Sequence, residues 1–338
     1  MTLSQKSRIA AFSHSCENGW TSMMEKIKIG VSACLLGENV RYDGGHQWDR
    51  YLTQTLGRYF EWVPVCPEVE YGLPVPREPM RLVGDPVAPR LVTTRSGIDH
   101  TAGMKAWAEE KLLSLAKESL CGFIFKSKSP SSGMTAVKVY GDAGIPSRQG
   151  IGIFAAAFMA RFPLMPVEDD GRLHDPILRE NFIERVFVSH RWQVMMGKEF
   201  KFKDLEIFHR DHKLLMMSHS TKHLTLLGRI TANHENMPLS RAASEYRQIL
   251  MAGLKLIATP KKQTNVLMHM LGYFKKHLTK DEKQELLEII ERYRQGALPL
   301  IVPVTMLAHY VRKFEESYLD GQIYLNPHPA ELMLRNHS

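Results

Sequence analysis

Ile27-Lys28-Ile29-Gly30-Val31 is a short β-prone run, and Ser32-Ala33-Cys34 closes it. Phe60-Glu61-Trp62-Val63-Pro64-Val65 is a second, closed by Cys66-Pro67, and Gly122-Phe123-Ile124-Phe125 is a third, running into Lys126-Ser127-Lys128-Ser129-Pro130. Leu164-Met165-Pro166-Val167 is a fourth, closed by Glu168-Asp169-Asp170. Helical segments are expected between them, from Trp48 to Leu56, Gly103 to Glu118 and Ile151 to Arg161. Strands alternating with helices predict an α/β fold with a Rossmann-like parallel sheet.

Beyond this part the pattern changes. Phe182 to Met196, Leu205 to Ser218, Ser240 to Ala258, Lys261 to His277 and Asp281 to Gln295 show apolar spacings of three and four, which predict helices. Thr279 reads as an N-cap, followed by acids in the first turn. The expected division is a poorly ordered extension over residues 1–24, an α/β domain over 25–170, a linker over 171–190 and a separate all-α domain over 191–330.

The chain has 338 residues, which suits about two domains at ~100–200 residues each. With 44% hydrophobic and 24% charged residues it has material for a real core, so global disorder is excluded. No apolar run approaches the ~20 residues that span a bilayer, so no membrane partner is expected. The extension lacks the apolar run of a signal peptide, and a cytoplasmic location is the default. Four cysteines are too few and scattered for a disulfide scaffold, so no disulfides are expected. Residues 191–338 hold 22 Lys and Arg against 15 Asp and Glu, an excess of +7 within a total of +8. That excess permits a polyanionic partner.

Parallel α/β sheets bind ligands at the carboxyl ends of their strands. The predicted topology therefore brings Cys34, Cys66 and the loop Ser129-Pro130-Ser131-Ser132-Gly133 to one edge. Two soft thiolates there suit zinc or an iron–sulfur cluster rather than magnesium. The alternative is two ordinary buried cysteines.

Val31-Ser32-Ala33-Cys34-Leu35-Leu36-Gly37 with Val40-Arg41-Tyr42-Asp43-Gly44, then Cys66-Pro67-Glu68-Val69, then Lys128-Ser129-Pro130-Ser131 and Gly133 resembles the thiouracil desulfurase family over roughly residues 25–165. The resemblance implies a compact α/β domain carrying a [4Fe–4S] cluster, held by three cysteines with one iron open. The matching positions are Cys34, Cys66 and Ser132, so a serine stands where the family has its third cysteine. A hydroxyl is a harder and more basic ligand than a thiol, which puts cluster occupancy and activity in question.

The helical part carries Phe208-His209, His212-Lys213, Leu226-Leu227-Gly228-Arg229, Asn265 to His269, Gly272 to Lys276, Pro299 to Pro303 and Tyr324 to Pro329. These resemble a helical domain fused behind such desulfurases, and the fusion is similar to RNA desulfurases that return thiolated uridine in tRNA to uridine. The resemblance then implies tRNA as partner, with Arg229, Lys261, Lys262, Lys275 and Lys276 as the expected phosphate contacts.

Within the resemblance, Glu68 and Ser129 match the family's catalytic glutamate and serine. Glu68 would activate water or shuttle a proton; its rival role is a structural salt bridge to Arg77 or Arg41. Ser129 has the rival role of a turn cap before Pro130. Asp43, Lys126 and Lys128 are the expected substrate contacts, against an Asp-Gly turn for Asp43 and solvated lysines for the others. His209 with His212 and His219 with His223 have spacings that fit a metal, but serve more often as core or surface histidines. The reading is a desulfurase acting hydrolytically on thiolated uridine. Its rivals are a desulfurase of free thiouracil, a non-catalytic RNA-binding protein without a cluster, and a zinc-bound structural protein.

Overall fold

The computed structural model describes residues 26–141, 145–233 and 237–337. The extension expected over residues 1–24, with Cys16, lies outside the described residues.

The parallel sheet is present in the order β2-β1-β5-β8, formed by β1 (Ile27–Ser32), β2 (Phe60–Val65), β5 (Gly122–Phe125) and β8 (Val167–Asp169). Side chains alternate across a strand, so β5 serves both faces. Phe123 and Phe125 point to a cluster with the helices Thr101–Leu115 and Ile153–Arg161, and Ile124 points the other way. Gly30 is required beside them, because a Cβ there would lie 2.2 Å from the Phe123 ring.

The opposite face packs Ile27, Ile29 and Val31 against Phe182, Ile183, Val186 and Phe187 of the helix Pro176–Met196. That helix corrects the expected linker over 171–190. Asp175 caps it by accepting from the amides of Ile177 at 2.8 Å and Leu178 at 3.1 Å, and Pro176 occupies the first turn. Residues Glu180 to Ser189 are all buried, so the helix expected from Phe182 onward is present but starts earlier, at Pro176, and is buried beyond its apolar stripe. Its far end, with Val188 and Trp192, enters the core of the all-α part, so one helix joins both cores.

β8 begins where the fourth run was expected to end. Its carboxylates are buried: Glu168 takes Arg172 Nε at 2.6 Å, and Asp169 Oδ1 accepts the Arg172 amide at 2.9 Å. The segment expected as a helix from Trp48 to Leu56 is a π-turn, Tyr51–Thr55, followed by a 3₁₀ turn, Leu56–Arg58.

A second sheet has no counterpart in the sequence reading. β3 (Met80–Val83), β4 (Arg90–Thr93), β6 (Val137–Tyr140) and β7 (Pro146–Gly150) pair in the order β4-β3-β6-β7. Leu82, Leu91, Val137 and Val139 bury its inner face against Met104 and Ile153.

The C-terminal part is all helix, including Phe202–His219, Thr221–Ala232, Leu239–Leu254, Pro260–Tyr273, Lys280–Arg294 and Ile301–Lys313. Thr279 caps the fifth of these reciprocally with Glu282, as a capping box does. The chain then returns, and Leu332 and Leu334 join the core under the parallel sheet. Among the described residues no helix is long and apolar enough to cross a membrane.

Candidate active site

The carboxyl ends of β1, β2 and β5 open into one cavity of about 450 Å³. Cys34 enters it from the 3₁₀ turn Ala33–Leu36 that ends β1. The Cys34 carbonyl accepts the Gln47 amide at 2.8 Å and the Gly37 amide at 3.3 Å, which holds the following loop over the site. Gly37 has φ 96°, a backbone conformation glycine adopts without the Cβ clash.

Cys66 sits at the end of β2, before the one-turn helix Pro67–Glu70. Its thiol lies 3.7 Å from Glu68 Oε2 and 3.8 Å from the Val40 carbonyl. The loop after β5 supplies Lys126, Ser127, Lys128, Ser129, Pro130 and Ser132 to the same cavity. Thus the three positions expected as cluster ligands, Cys34, Cys66 and Ser132, share one cavity, as do Glu68 and Ser129.

Glu68 is held from both sides. Arg77 Nη2 reaches its Oε2 at 3.3 Å and also the Val40 carbonyl at 2.9 Å, so the salt bridge to Arg77 is real. The Ser131 hydroxyl bonds Glu68 Oε1, and Ser129 Oγ lies 3.0 Å from Ser131 Oγ. Ser129 Oγ also accepts the Ser132 amide at 3.1 Å. The turn-cap role and a place in a chain of polar groups therefore coexist in Ser129. Ser131, fully buried, was not singled out by the sequence. The signal available was its place among the three serines after a strand end.

Glycines allow this loop to close. A Cβ on Gly152 would lie 2.5 Å from the Ser131 carbonyl, and one on Gly133 would lie 2.7 Å from the Ser129 carbonyl.

The lysines differ. Lys126 Nζ meets Asp170 Oδ2 at 2.7 Å, and Asp170 Oδ1 also accepts the Ser127 amide at 2.6 Å. Lys128 is exposed, with φ 62°. Asp43 does not line the cavity; it accepts the Gly45 amide at 3.1 Å and meets Arg41 at 3.4 Å, closing its own turn. None of Arg229, Lys261, Lys262, Lys275 and Lys276 lines it either.

Burial pushes the Cys34 thiol up to about 11, with Lys126 pulling it down and Glu68 pushing it further up. Burial, then the charge of Glu68, pushes Cys66 up to about 12. Both are therefore thiols at neutral pH unless a metal displaces their protons.

These residues fit a thiophilic metal group at two positions and not at the third. Cys34 and Cys66 are soft donors, whereas Ser132 offers a hydroxyl. Cys121 cannot replace it, since it is buried elsewhere with its Sγ 3.3 Å from Gln193 Oε1. The three described cysteines are free thiols. Among the described residues no three His, Cys, Asp or Glu side chains gather as a metal site.

The histidine pairs of the helical part are engaged in packing. His212 Nδ1 lies 2.8 Å from the Phe208 carbonyl, His219 bridges Glu184 and the Leu256 carbonyl, and His223 meets Ser220.

Comparison with known proteins agrees with this architecture. The family of the 2-thiouracil desulfurase matches residues 29–170, and the family described as a protein of unknown function, DUF1722, matches residues 213–329. The chain is 32% identical over 153 residues to the Escherichia coli (strain K12) protein described as uncharacterized protein YbgA, covering 45% of this chain and 90% of that one. It is 34% identical over 109 residues to the Bacillus subtilis (strain 168) protein described as uncharacterized protein YbbK, covering 30% of this chain and 71% of that one. A solved structure described as the [4Fe-4S]-dependent thiouracil desulfidase TudS is 32% identical, covers 44% of this chain and 95% of that one, and has a TM-score of 0.37. With both cysteines, Glu68 and Ser129 inside the matched segment, the chain belongs to the 2-thiouracil desulfurase family through its α/β domain and carries a helical DUF1722 domain behind it.

Proposed function

We propose that this desulfurase removes sulfur from thiolated uridine, with 4-thiouridine in tRNA as the substrate, giving uridine and sulfide. One observation carries the reading: the half-buried thiol of Cys34, the buried thiol of Cys66, Glu68 and Ser129 line one cavity at the strand ends, and Ser131 links the last two from behind. The net change is hydrolytic, since water supplies the oxygen of the new C=O while sulfur leaves as hydrogen sulfide. No oxidant or reductant is consumed.

A [4Fe–4S] cluster on Cys34, Cys66 and the 132 position would supply a soft Lewis acid for the thiocarbonyl sulfur. The chain's own residues do the rest. Glu68 takes a proton from water at Oε2, the oxygen that Arg77 fixes in place. Ser131 orients the other oxygen, and Ser129 extends the chain of hydroxyls along which a proton returns to the leaving sulfur. Lys128 donates to the base's remaining exocyclic oxygen. Lys126, already paired with Asp170, sets the field at Cys34. A base in a folded RNA must leave its stack to enter the cavity, and the +7 excess of residues 191–338 suits phosphate contacts.

Ser132 is read as weakening cluster binding and so the activity of this form. That same serine favours the second reading, an RNA-binding protein without desulfurase activity. The test is sulfide release from an RNA oligonucleotide carrying 4-thiouridine and from free 2-thiouracil, for this chain and Ser132→Cys after anaerobic reconstitution. Release from the oligonucleotide by the cysteine form supports the proposal. Release only from the free base moves the substrate to thiouracil, and RNA binding without release by either form supports the second reading.

A further inference from the structure

The second sheet forms a groove of about 570 Å³ that abuts the catalytic cavity, with Met80, Lys128 and Pro130 lining both. Three neighbouring strands each contribute one exposed cation to it: Arg81 from β3, Lys138 from β6 and Arg148 from β7. The parallel register that sets Leu82 opposite Val139 places Arg81 beside Lys138. An irregularity between Val137 and Val139 brings β7 out of simple pairing where Arg148 lies.

No carboxylate lines the groove among the described residues. Among the described residues, Arg81, Lys128, Lys138 and Arg148 form no ion pair, whereas Arg41, Arg90, Arg241, Arg294 and Lys313 each hold an acid. Like charges on adjacent strands destabilise a sheet, so the row is costly until an anion meets it. Tyr140 adds a half-buried ring with the Arg81 guanidinium 5.3 Å from its centroid, the mixture of cation and aromatic that single-stranded nucleic acids stack on. Lys128, in the left-handed conformation, stands at the junction between groove and cavity.

We infer that this groove binds the phosphodiester backbone of single-stranded RNA beside the nucleotide whose base enters the cavity. The inference rests on the proposed action on a base within RNA, and places the primary contact on the desulfurase domain itself. The helical-domain cations then give outlying contacts.

The test measures binding of an unmodified, end-labelled single-stranded oligoribonucleotide by fluorescence anisotropy across a salt series, using the full chain. For Arg81→Ala/Lys138→Ala/Arg148→Ala, affinity at low salt is expected to fall about tenfold or more, and the log–log salt slope to fall by about two, at ~0.7 per phosphate contact. Lys261→Ala/Lys275→Ala/Lys276→Ala is expected to change both far less. If the triple sheet variant melts like an unfolded chain, the single Arg148→Ala on the edge strand is read instead, with a slope change of about 0.7. Unchanged binding in the sheet variants, a loss confined to the helical-domain variant, or no RNA binding by the native chain overturns the inference. The assay needs neither turnover nor cluster, so a failed desulfurase leaves it readable. Loss of RNA binding leaves release from free thiouracil as the separate measure of catalysis.

Discussion

The cavity at the strand ends and the junction beneath the helix Pro176–Met196 both bury charged side chains, but they satisfy them differently. At the junction, protein groups answer one another. Arg335 is 3% exposed and lies between Glu184 at 3.2 Å and Glu180 at 3.5 Å, with its Nη1 donating to the Tyr324 carbonyl at 2.6 Å. Glu184 also meets His219 at 3.1 Å. At the cavity, by contrast, Glu68 is fixed by Arg77 and Ser131, while two thiols and Lys128 face open volume. The junction groups line only about 180 Å³ against about 450 Å³ at the strand ends, so the mutually paired network ties the domains together and the oriented one has room for a reacting molecule.

The largest expected effect breaks the junction. Arg335→Ala removes the guanidinium shared by Glu184 and Glu180, leaving Glu184 with His219 alone, and should cost about 3–5 kcal/mol in urea unfolding. A cost below about 1 kcal/mol, the range of exposed pairs, would make the network superficial. Glu68→Gln comes next and should act on the other side of the comparison. In the Ser132→Cys background it should slow sulfide release about 100-fold or more, with the unfolding midpoint little changed. An unchanged rate with lost stability would make Glu68 merely the structural partner of Arg77.

A pH prediction sharpens the contrast. Burial, then the charge of Glu184, pushes Glu180 up to about 8. Burial alone would raise Glu184 as well, but the His219 hydrogen bond and the Arg335 charge outweigh it and hold the carboxyl down at about 2. A depressed carboxyl contributes stability above its unfolded value of about 4.5, which is lost as pH falls towards 2. A raised one contributes below about 4.5, and that contribution is lost as pH rises towards 8. Stability from this pair therefore peaks near the unfolded value, and Glu180→Gln should flatten the alkaline decline while keeping the acid one. Equal slopes in native and variant unfolding series would contradict it. Ser131→Ala is the smallest effect: about tenfold in turnover, the worth of one hydrogen bond to a charged group, with KM unchanged. A change in KM alone would move Ser131 from orienting Glu68 to binding substrate.

Much of this was legible because β1, β2 and β5 are apolar runs with clear stops, and their ends carry both cysteines. Parallel topology then gathers Cys34, Cys66 and the serine loop without further information. The second sheet was not legible, since Met-Arg-Leu-Val, Val-Lys-Val-Tyr and Pro-Ser-Arg-Gln-Gly are too short and polar to stand out from loops. β8 was displaced because Glu168 and Asp169 read as turn residues; their burial depends on Arg172, a tertiary fact. The helix expected from Phe182 is present, but its first turns from Pro176 were missed, because their apolar spacing is weak, although Asp175-Pro176 was a readable start. In the site, Glu68, Ser129 and Arg77 were within reach of sequence reasoning. Ser131 and Asp170 acquire their roles only from what lies across the cavity.

The most direct test of the account is the iron and acid-labile sulfide content of this chain and of Ser132→Cys, each purified anaerobically and handled in parallel. The account predicts about four irons per chain in the cysteine form and distinctly fewer here, because the third ligand of the cavity is a hydroxyl. Iron in neither form, or equal iron in both, would contradict the claim that Cys34, Cys66 and the 132 position together form the cluster site.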